Sequence, residues 1–163
     1  MDLFILRHAW AADRDDAQWP DDRLRPLTEA GKRRFAKLAA KLVENGLTPE
    51  VIATSPLARC VQTAQILAGE AAKPEIVELD ALKPDSDLAE LMRWTAGQAA
   101  SHERLAWVGH SPDMERLTGR LIGASEALIR FAKGGAACIR FDGPLEVGAG
   151  ELRWLVTAAV MGC

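Results

Sequence analysis

Short apolar runs alternate with segments of helical periodicity along most of this chain, and that alternation limits the folds open to it. Four strands are predicted before residue 110, each followed by a helix: strands 3–6, 51–53, 75–79 and 105–108, and helices 29–45, 56–68, 87–100 and 112–121. This order predicts parallel strands with helices on both faces of the sheet. A closing pair of strands, 137–141 and 152–157, has no helix between its members and predicts an antiparallel edge. We therefore expect an α/β fold, a three-layer α/β/α sandwich with a mostly parallel sheet.

Length and charge narrow the class of protein and its partners. With 163 residues of ordinary globular composition, residues 1–163 are predicted to form one domain. A formal net charge of −3 gains nothing from counterion release on DNA, so nucleic acid is not an expected partner. The chain has no apolar run of about 18 residues, and its start reaches Arg7 and His8 too soon for a signal peptide. We expect a cytoplasmic monomer that does not bind a membrane.

The cysteines and histidines argue against several common chemistries. Cys60, Cys138 and Cys163 are an odd number without a C-x-x-C pair, which predicts reduced thiols rather than disulfides or a zinc ribbon. A cysteine phosphatase needs an arginine six positions after its nucleophile, where this chain has Ile66 and Pro144. The three histidines lack metal-ligand spacing, and no phosphate-binding G-x-x-x-x-G-K-[ST] loop is present. Neither a metal nor another cofactor is therefore expected.

The same local pattern follows two of the predicted strands. Ser55-Pro56 comes directly after the second strand, and Ser111-Pro112 follows the fourth. In both pairs the serine is predicted to cap a helix and the proline to be its first residue. Two helices would then begin at the carboxyl edge of a parallel sheet, where α/β proteins bind ligands. Helix N-termini offer free N–H groups and partial positive charge, which suits an anion.

The polar side chains predicted at this edge are all basic or imidazole groups. Arg7 and His8 end the first strand, His110 ends the fourth, and Arg59 lies in the first turn of the helix after Ser55-Pro56. Taken singly, each has an ordinary explanation, as a hydrogen-bonded structural histidine, a surface ion pair or a solvated helical arginine. Converging on one edge, the guanidinium groups would repel each other unless an anion lay between them. Because arginine binds phosphate oxygens bidentately, the set predicts a phosphoryl site.

The connection between residues 11 and 25 is charged, rich in aspartate and longer than most connections in compact domains. Its acidic side chains either discriminate between partners or keep the loop solvated, and we favour the second interpretation. Trp10 and Trp19 lie close to the predicted site in sequence. They either line its rim or anchor the loop to the body of the protein.

Four motifs in this order resemble the histidine phosphatase superfamily, the RHG group that includes cofactor-dependent phosphoglycerate mutases. They are L-R-H-A (6–9), R-P-L-T-x-x-G (25–31), S-P-x-x-R-x-x-Q-T-A (55–64) and G-H-S-P (109–112). The short chain and the R-P-L-T segment look most like the bacterial SixA phosphohistidine phosphatase branch. The resemblance extends from Met1 to about residue 157 and implies the phosphoglycerate mutase-like fold.

The resemblance also implies roles for particular residues. His8 matches the nucleophile that becomes phosphorylated, and Arg7, Arg59 and His110 match the rest of the phosphate pocket. Arg25 matches a position in the SixA-like branch that can reach the phosphate from a loop. His8 must attack as neutral imidazole, and neighbouring cations should favour that form.

Two departures from the family pattern bear on the substrate. The usual glycine after the nucleophile is Ala9, which SixA-like members tolerate. The glutamate that protonates a leaving alkoxide after the third strand has no clear match, and Asp80 is the nearest candidate, either an acid or a capping residue. A protonated imidazole leaves without that acid, so we expect phosphohistidine on a protein as the substrate. The alternatives are a broad small-molecule phosphomonoesterase and, less favoured, a non-catalytic phosphoprotein-binding module.

Overall fold

The computed structural model describes residues 1–163 as one six-stranded sheet flanked by four helices. The strands are β1 (Asp2–Arg7), β2 (Val51–Thr54), β3 (Glu75–Glu78), β4 (Arg104–Gly109), β5 (Ala136–Arg140) and β6 (Glu151–Val156). The helices are α1 (Glu29–Glu44), α2 (Ala58–Glu70), α3 (Leu88–Ala99) and α4 (Asp113–Leu121). Two short 3-10 turns, Asp22–Leu24 and Asp80–Leu82, lie in the connections. The predicted order of strands and helices and the fold class are confirmed.

The strands lie in the order β3-β2-β4-β1-β5-β6. The first four are parallel to one another, whereas β5 pairs antiparallel with β1 and β6 antiparallel with β5. The closing strands therefore form the antiparallel edge predicted from the missing helix between them, with β5 the reversed strand and β6 outermost. The central strands β4 and β1 end side by side, since Arg7 is the register partner of Gly109.

Alternation along β1 divides the core into two layers. Phe4 and Leu6 belong to a cluster that includes buried residues of α1 and α2, such as Phe35. Leu3 and Ile5 belong to a second cluster with buried residues of α3 and α4. Because every other side chain of a strand lies on the same face, the helices cover both faces of the sheet.

The start of α1 fixes the segment that follows β1. Thr28 caps the helix as predicted, its Oγ1 accepting the backbone N–H of Gly31 at 2.9 Å. The carbonyl of Trp10 accepts the backbone N–H of Thr28 at 3.0 Å. A Cβ atom on Gly31 would lie 2.2 Å from that same carbonyl oxygen, so only glycine fits there. The spacing in R-P-L-T-x-x-G thus reflects a helix start pressed against the backbone just after His8.

The predicted starts of the two helices that follow Ser-Pro pairs are wrong. Helix α2 begins at Ala58 and α4 at Asp113, and neither has a side-chain cap. The two serine hydroxyls have other partners: Ser55 Oγ lies 2.9 Å from His110 Nε2, a tertiary contact, and Ser111 Oγ donates to the Glu115 carboxylate, four residues further along the chain, at 2.7 Å. Pro56 and Pro112 accordingly precede the helices instead of opening them.

Candidate active site

The register of the central strands brings both histidines to one edge of the sheet. The backbone N–H of His8 donates to the carbonyl of Gly109 at 2.9 Å, one step past the last paired residues of β1 and β4. The ring centroids of His8 and His110 are 5.4 Å apart at an interplanar angle of 62°. Ser55, one residue past β2, donates its N–H to the carbonyl of Val108 at 3.0 Å and so joins the same row. Three strand ends therefore deliver one cluster, as the sequence predicts.

His8 has one ring nitrogen that is tied to the backbone and one that is free. Its Nδ1 lies 2.8 Å from the carbonyl oxygen of Ala9. A carbonyl can only accept, so Nδ1 carries the proton and Nε2 keeps its lone pair. Burial lowers the pKa of His8 to about 3; the Ala9 hydrogen bond opposes this shift, and His110 and Arg59 add to it. The ring is thus neutral near pH 7, with burial contributing more than the neighbouring cations that the sequence pointed to.

The second imidazole is held by two side chains from the β2–α2 segment. His110 Nε2 lies 2.9 Å from Ser55 Oγ and 3.5 Å from Cys60 Sγ. Burial, and next the charge of Arg59, lowers the pKa of His110 to about 4. The Cys60 thiol donates to the carbonyl of Gly109, and burial raises its pKa to about 12. Cys60 is therefore a neutral packing partner of His110 and not a second nucleophile.

Arg7 is anchored from the side of β5 and α4. Its Nη1 donates to the carbonyl of Phe131 at 2.8 Å, while its Nε is buried without a partner. Glu115 Oε1 accepts the N–H of the same Phe131 at 3.1 Å and the hydroxyl of Ser111. Burial lowers the pKa of Arg7, and the negative charge of Glu115 opposes that shift. Phe131 therefore holds the Arg7 guanidinium group through its carbonyl oxygen, and Glu115 holds Phe131 through its N–H.

Arg59 is anchored from the opposite side, by the 11–25 loop. Its Nη1 donates to the backbone carbonyl of Asp22 at 3.0 Å and lies 3.2 Å from the Asp22 carboxylate. The Arg59 side chain is 5% exposed, and its Nε is buried without a partner. Buried guanidinium N–H groups are rarely left without an acceptor. Arg7 and Arg59 thus both bind protein through Nη1 and make no protein hydrogen bond through Nε or Nη2, a pair of donors that can bind an oxyanion bidentately.

The sequence of the chain matches a known family over most of this architecture. The family model of the histidine phosphatase superfamily (branch 1) matches residues 3–139, a span that includes the ends of β1, β2 and β4. The chain belongs to the histidine phosphatase superfamily. An uncharacterized protein of Picosynechococcus sp. is 40% identical over 115 residues, which are 70% of this chain and 68% of that protein.

Solved structures of the superfamily have the same fold. The protein histidine phosphatase SixA complexed with tungstate matches with a TM-score of 0.85 at 24% identity, over 99% of both chains. A structure from Agrobacterium tumefaciens, assigned as a phosphohistidine phosphatase SixA, matches with a TM-score of 0.78 at 26% identity, over 96% of this chain and 97% of that one. The resemblance to the superfamily and its SixA branch is therefore confirmed, together with the phosphoglycerate mutase-like fold.

The remaining residues singled out from the sequence are Arg25, Asp80 and Trp10, and each has different contacts in the structure. Arg25 stands next to the cluster, because its Nε binds the Asp22 carboxylate at 2.7 Å and its Nη1 donates to the carbonyl of Ala12. The Asp80 side chain is 77% exposed and pairs with Lys83 at 2.7 Å. Trp10 packs as an anchor, with Arg34 stacked 4.2 Å above its ring.

Several residues of the site were not expected from sequence. Asp22, Ser55 and Glu115 each hold a predicted site residue or its neighbour. Gln62 Oε1 accepts the N–H of Leu27, and Thr63 Oγ1 accepts the N–H of Ala9, which explains the Q-T pair in the S-P-x-x-R-x-x-Q-T-A motif. The motif S-P-x-x-R-x-x-Q-T-A contains Ser55, Gln62 and Thr63 and was the signal for them, whereas Asp22 and Glu115 lie outside it.

An open groove of about 500 Å³ borders the site between the 11–25 loop and the start of α2. Its walls include Asp21, Arg23, Leu24, Leu57, Asp80 and Lys83. A second cleft of about 520 Å³ lies far from the histidines, beside Asp2 at the opposite end of β1. No group of three or more His, Cys, Asp or Glu side chains is arranged to hold a metal ion. None of the helices has the length and apolar character needed to cross a bilayer.

Proposed function

We propose that this superfamily member is a phosphatase that forms a phosphohistidine intermediate on His8 and acts on phosphohistidine of a phosphorylated protein. One observation carries the proposal: the unprotonated Nε2 of His8 lies in a cluster in which Arg7 and Arg59 both keep a free Nε–Nη2 edge. A neutral nucleophile beside two bidentate anion donors is what phosphoryl transfer requires.

The first step forms one P–N bond and breaks another. His8 Nε2 attacks phosphorus in line, and the bond between phosphorus and the substrate imidazole breaks. That imidazole takes a proton from solvent on its other nitrogen and departs as a neutral ring. Arg7, Arg59 and His110 bind the equatorial oxygens and stabilise their charge in the transition state, and Arg25 supports this set through Asp22. In the second step water attacks phosphorus, the bond to His8 breaks, and inorganic phosphate leaves.

The preference for a phosphoramidate rests on the contacts of two acidic groups, Asp80 and Asp22. An alkoxide leaves slowly without a proton donor, and the Asp80 carboxylate is exposed and paired with Lys83. The Asp22 carboxylate is bound by Arg25 and Arg59, and the Arg25 hydrogen bond is the main cause that keeps the pKa of Asp22 below its ordinary value. Asp22 is therefore ionised near pH 7 and unsuited to donate a proton. The similarity to SixA structures supports the same substrate class.

The test compares three substrates at matched concentration: a phosphohistidine protein, a small phosphoramidate and an aryl phosphate ester. We expect kcat/KM to be highest for the phosphohistidine protein. A preference for the ester would favour the broad phosphomonoesterase, and no turnover of any substrate together with phosphate binding would favour the binding module.

Substitution of the nucleophile separates binding from chemistry. His8→Ala is expected to abolish turnover while tungstate or phosphate binding, measured by calorimetry, is largely retained. Near wild-type turnover in His8→Ala would contradict the mechanism.

A further inference from the structure

We infer that Asp22 is a positioning residue of this site: its carboxylate holds the guanidinium groups of Arg25 and Arg59 together, and the 11–25 loop is thereby part of the phosphate pocket. The effect on turnover rests on the proposed function. The hold on the two arginines rests on their contacts alone.

Asp22 contacts each arginine through a different oxygen. Oδ1 accepts Arg25 Nε at 2.7 Å, and Oδ2 lies 3.2 Å from Arg59 Nη1. The backbone carbonyl of Asp22 accepts the same Nη1 at 3.0 Å, so Arg59 is held by both the side chain and the main chain of one residue. No other carboxylate forms an ion pair with Arg25 or Arg59.

These contacts leave the binding edge of Arg59 free. Asp22 takes up Nη1, whereas Nε is buried without a partner and Nη2 makes no hydrogen bond to protein. A carboxylate that competed with phosphate for Nε and Nη2 would contact one of these two nitrogens. Asp22 therefore orients Arg59 through Nη1 and does not occupy the position proposed for the phosphoryl group.

The local structure of the loop supports a fixed position for Asp22. Asp22 opens the 3-10 turn Asp22–Leu24, which Asp21 caps by accepting the N–H of Arg23. Arg25 Nη1 donates to the carbonyl of Ala12 at 2.7 Å, which joins the two ends of the loop. The hydrogen bonds within the loop thus fix the position of Asp22, the residue that contacts Arg59.

The test measures kcat and KM with Asp22→Ala and Asp22→Asn, with Asp16→Ala as the matched control. Asp16 lies in the same loop, exposed, and contacts only the exposed Arg14. Because displacements near 1 Å can cost about 100-fold in rate, we expect Asp22→Ala to lower kcat by about 10- to 100-fold. KM and the phosphate Kd should change by less than about threefold. Asp22→Asn keeps one acceptor and should recover part of the loss, and Asp16→Ala should match the wild type. An unchanged kcat, or a higher kcat with tighter phosphate binding, would overturn the inference and make Asp22 a competing anion.

A second readout does not depend on turnover. In ¹H–¹⁵N spectra of the ligand-free protein, the buried Nε–H of Arg59 should give a protected signal in the wild type and in Asp16→Ala. Asp22→Ala should broaden or shift that signal in a folded protein whose thermal midpoint is within about 4 °C of the wild type. If the signal persists in Asp22→Ala, the positioning role is wrong even if the protein is a phosphatase. If the wild type hydrolyses nothing but the signal depends on Asp22, only the proposed function fails.

Discussion

The two arginines beside His8 present the same free edge but are supported in different ways. Arg7 is the last residue of a central strand and is held through Phe131, which Glu115 of α4 fixes in turn. Arg59 lies at the start of α2 and is held by Asp22, a residue of a surface loop whose side chain is 37% exposed. One side of the site is therefore tied to the core of the protein, and the other is tied to a loop. Substitutions on the two sides should lower kcat by similar factors but lower the free energy of unfolding by different amounts.

The largest expected effect tests whether the two sides are equivalent in catalysis. Arg7→Ala and Arg59→Ala should each lower kcat by about 10²–10³-fold, since each removes a donor to the transferring phosphoryl group. Arg59→Lys should not restore activity, because an ammonium group cannot replace the bidentate edge. Steady-state kinetics checks both, and a loss in kcat below tenfold for Arg59→Ala, but not for Arg7→Ala, would show that only the Arg7 side of the site takes part in catalysis.

The next effect tests whether the two sides differ in stability. Glu115→Ala leaves the N–H of Phe131 and the hydroxyl of Ser111 without their acceptor, and should lower the free energy of unfolding by about 1–3 kcal/mol. Asp22→Ala removes solvent-screened ion pairs and should cost at most about 1 kcal/mol. Denaturant unfolding measures both, with the exposed Glu90→Ala of α3 as the control. Equal losses in the free energy of unfolding for Glu115→Ala and Asp22→Ala would show that the contacts of the loop stabilise the protein as much as those of Glu115 do.

A smaller effect is expected at Arg25, which touches the cluster only through Asp22. Arg25→Ala should lower kcat/KM by about tenfold, or about 1.4 kcal/mol in transition-state stabilisation. The effect of Arg25→Ala should largely disappear in an Asp22→Ala background, because the two residues then no longer act through each other. Additive losses would show that Arg25 reaches the phosphate independently.

The arrangement of the elements was predictable because it follows from periodicity and chain order. Alternating strand and helix patterns allow few topologies, and parallel strands must end at one edge, so His8 and His110 could be placed together without coordinates. The helix starts were not predictable from Ser55-Pro56 and Ser111-Pro112. A local capping pattern cannot reveal that the Ser55 hydroxyl contacts His110 at another strand end, or that the Ser111 hydroxyl donates to the Glu115 carboxylate.

The supporting carboxylates were not predictable for a related reason. Asp22 is one of several aspartates in the 11–25 loop, and only the path of that loop decides which of them meets Arg59. Glu115 reads as an ordinary residue in the first turn of a helix, and its contact with Phe131 depends on how the connection before β5 returns to the sheet. Chemistry-bearing residues at strand ends can be found from sequence, whereas the residues that orient them depend on loop conformation.

The smallest expected change concerns the pH response of the two imidazoles. Folding lowers the pKa of His8 to about 3 and of His110 to about 4, mainly through burial. Their ring signals in ¹H–¹³C spectra should therefore stay constant between about pH 8 and pH 5, although an unperturbed imidazole titrates near pH ~6.5. A titration of the His8 signal near pH 6.5 would contradict a ring kept neutral by burial.

The same shifts give stability a defined pH dependence. Below about pH 6.5 the unfolded chain binds protons that the buried rings do not. The contribution of these rings is therefore complete above that pH and is lost progressively as the pH falls towards 4 and 3. Unfolding measured at pH 7 and pH 5 should show lower stability at pH 5, with a smaller difference in His8→Ala.

The most direct test of the account is to trap the phosphorylated enzyme. After rapid mixing with a phosphoramidate and an alkaline quench, peptide mass spectrometry and ³¹P spectra should show one phosphate on His8, stable in base and labile in acid. The modification should be absent from His8→Ala and should form slowly in Arg59→Ala. A phosphate on any other residue, or full turnover without modification of His8, would contradict the central claim.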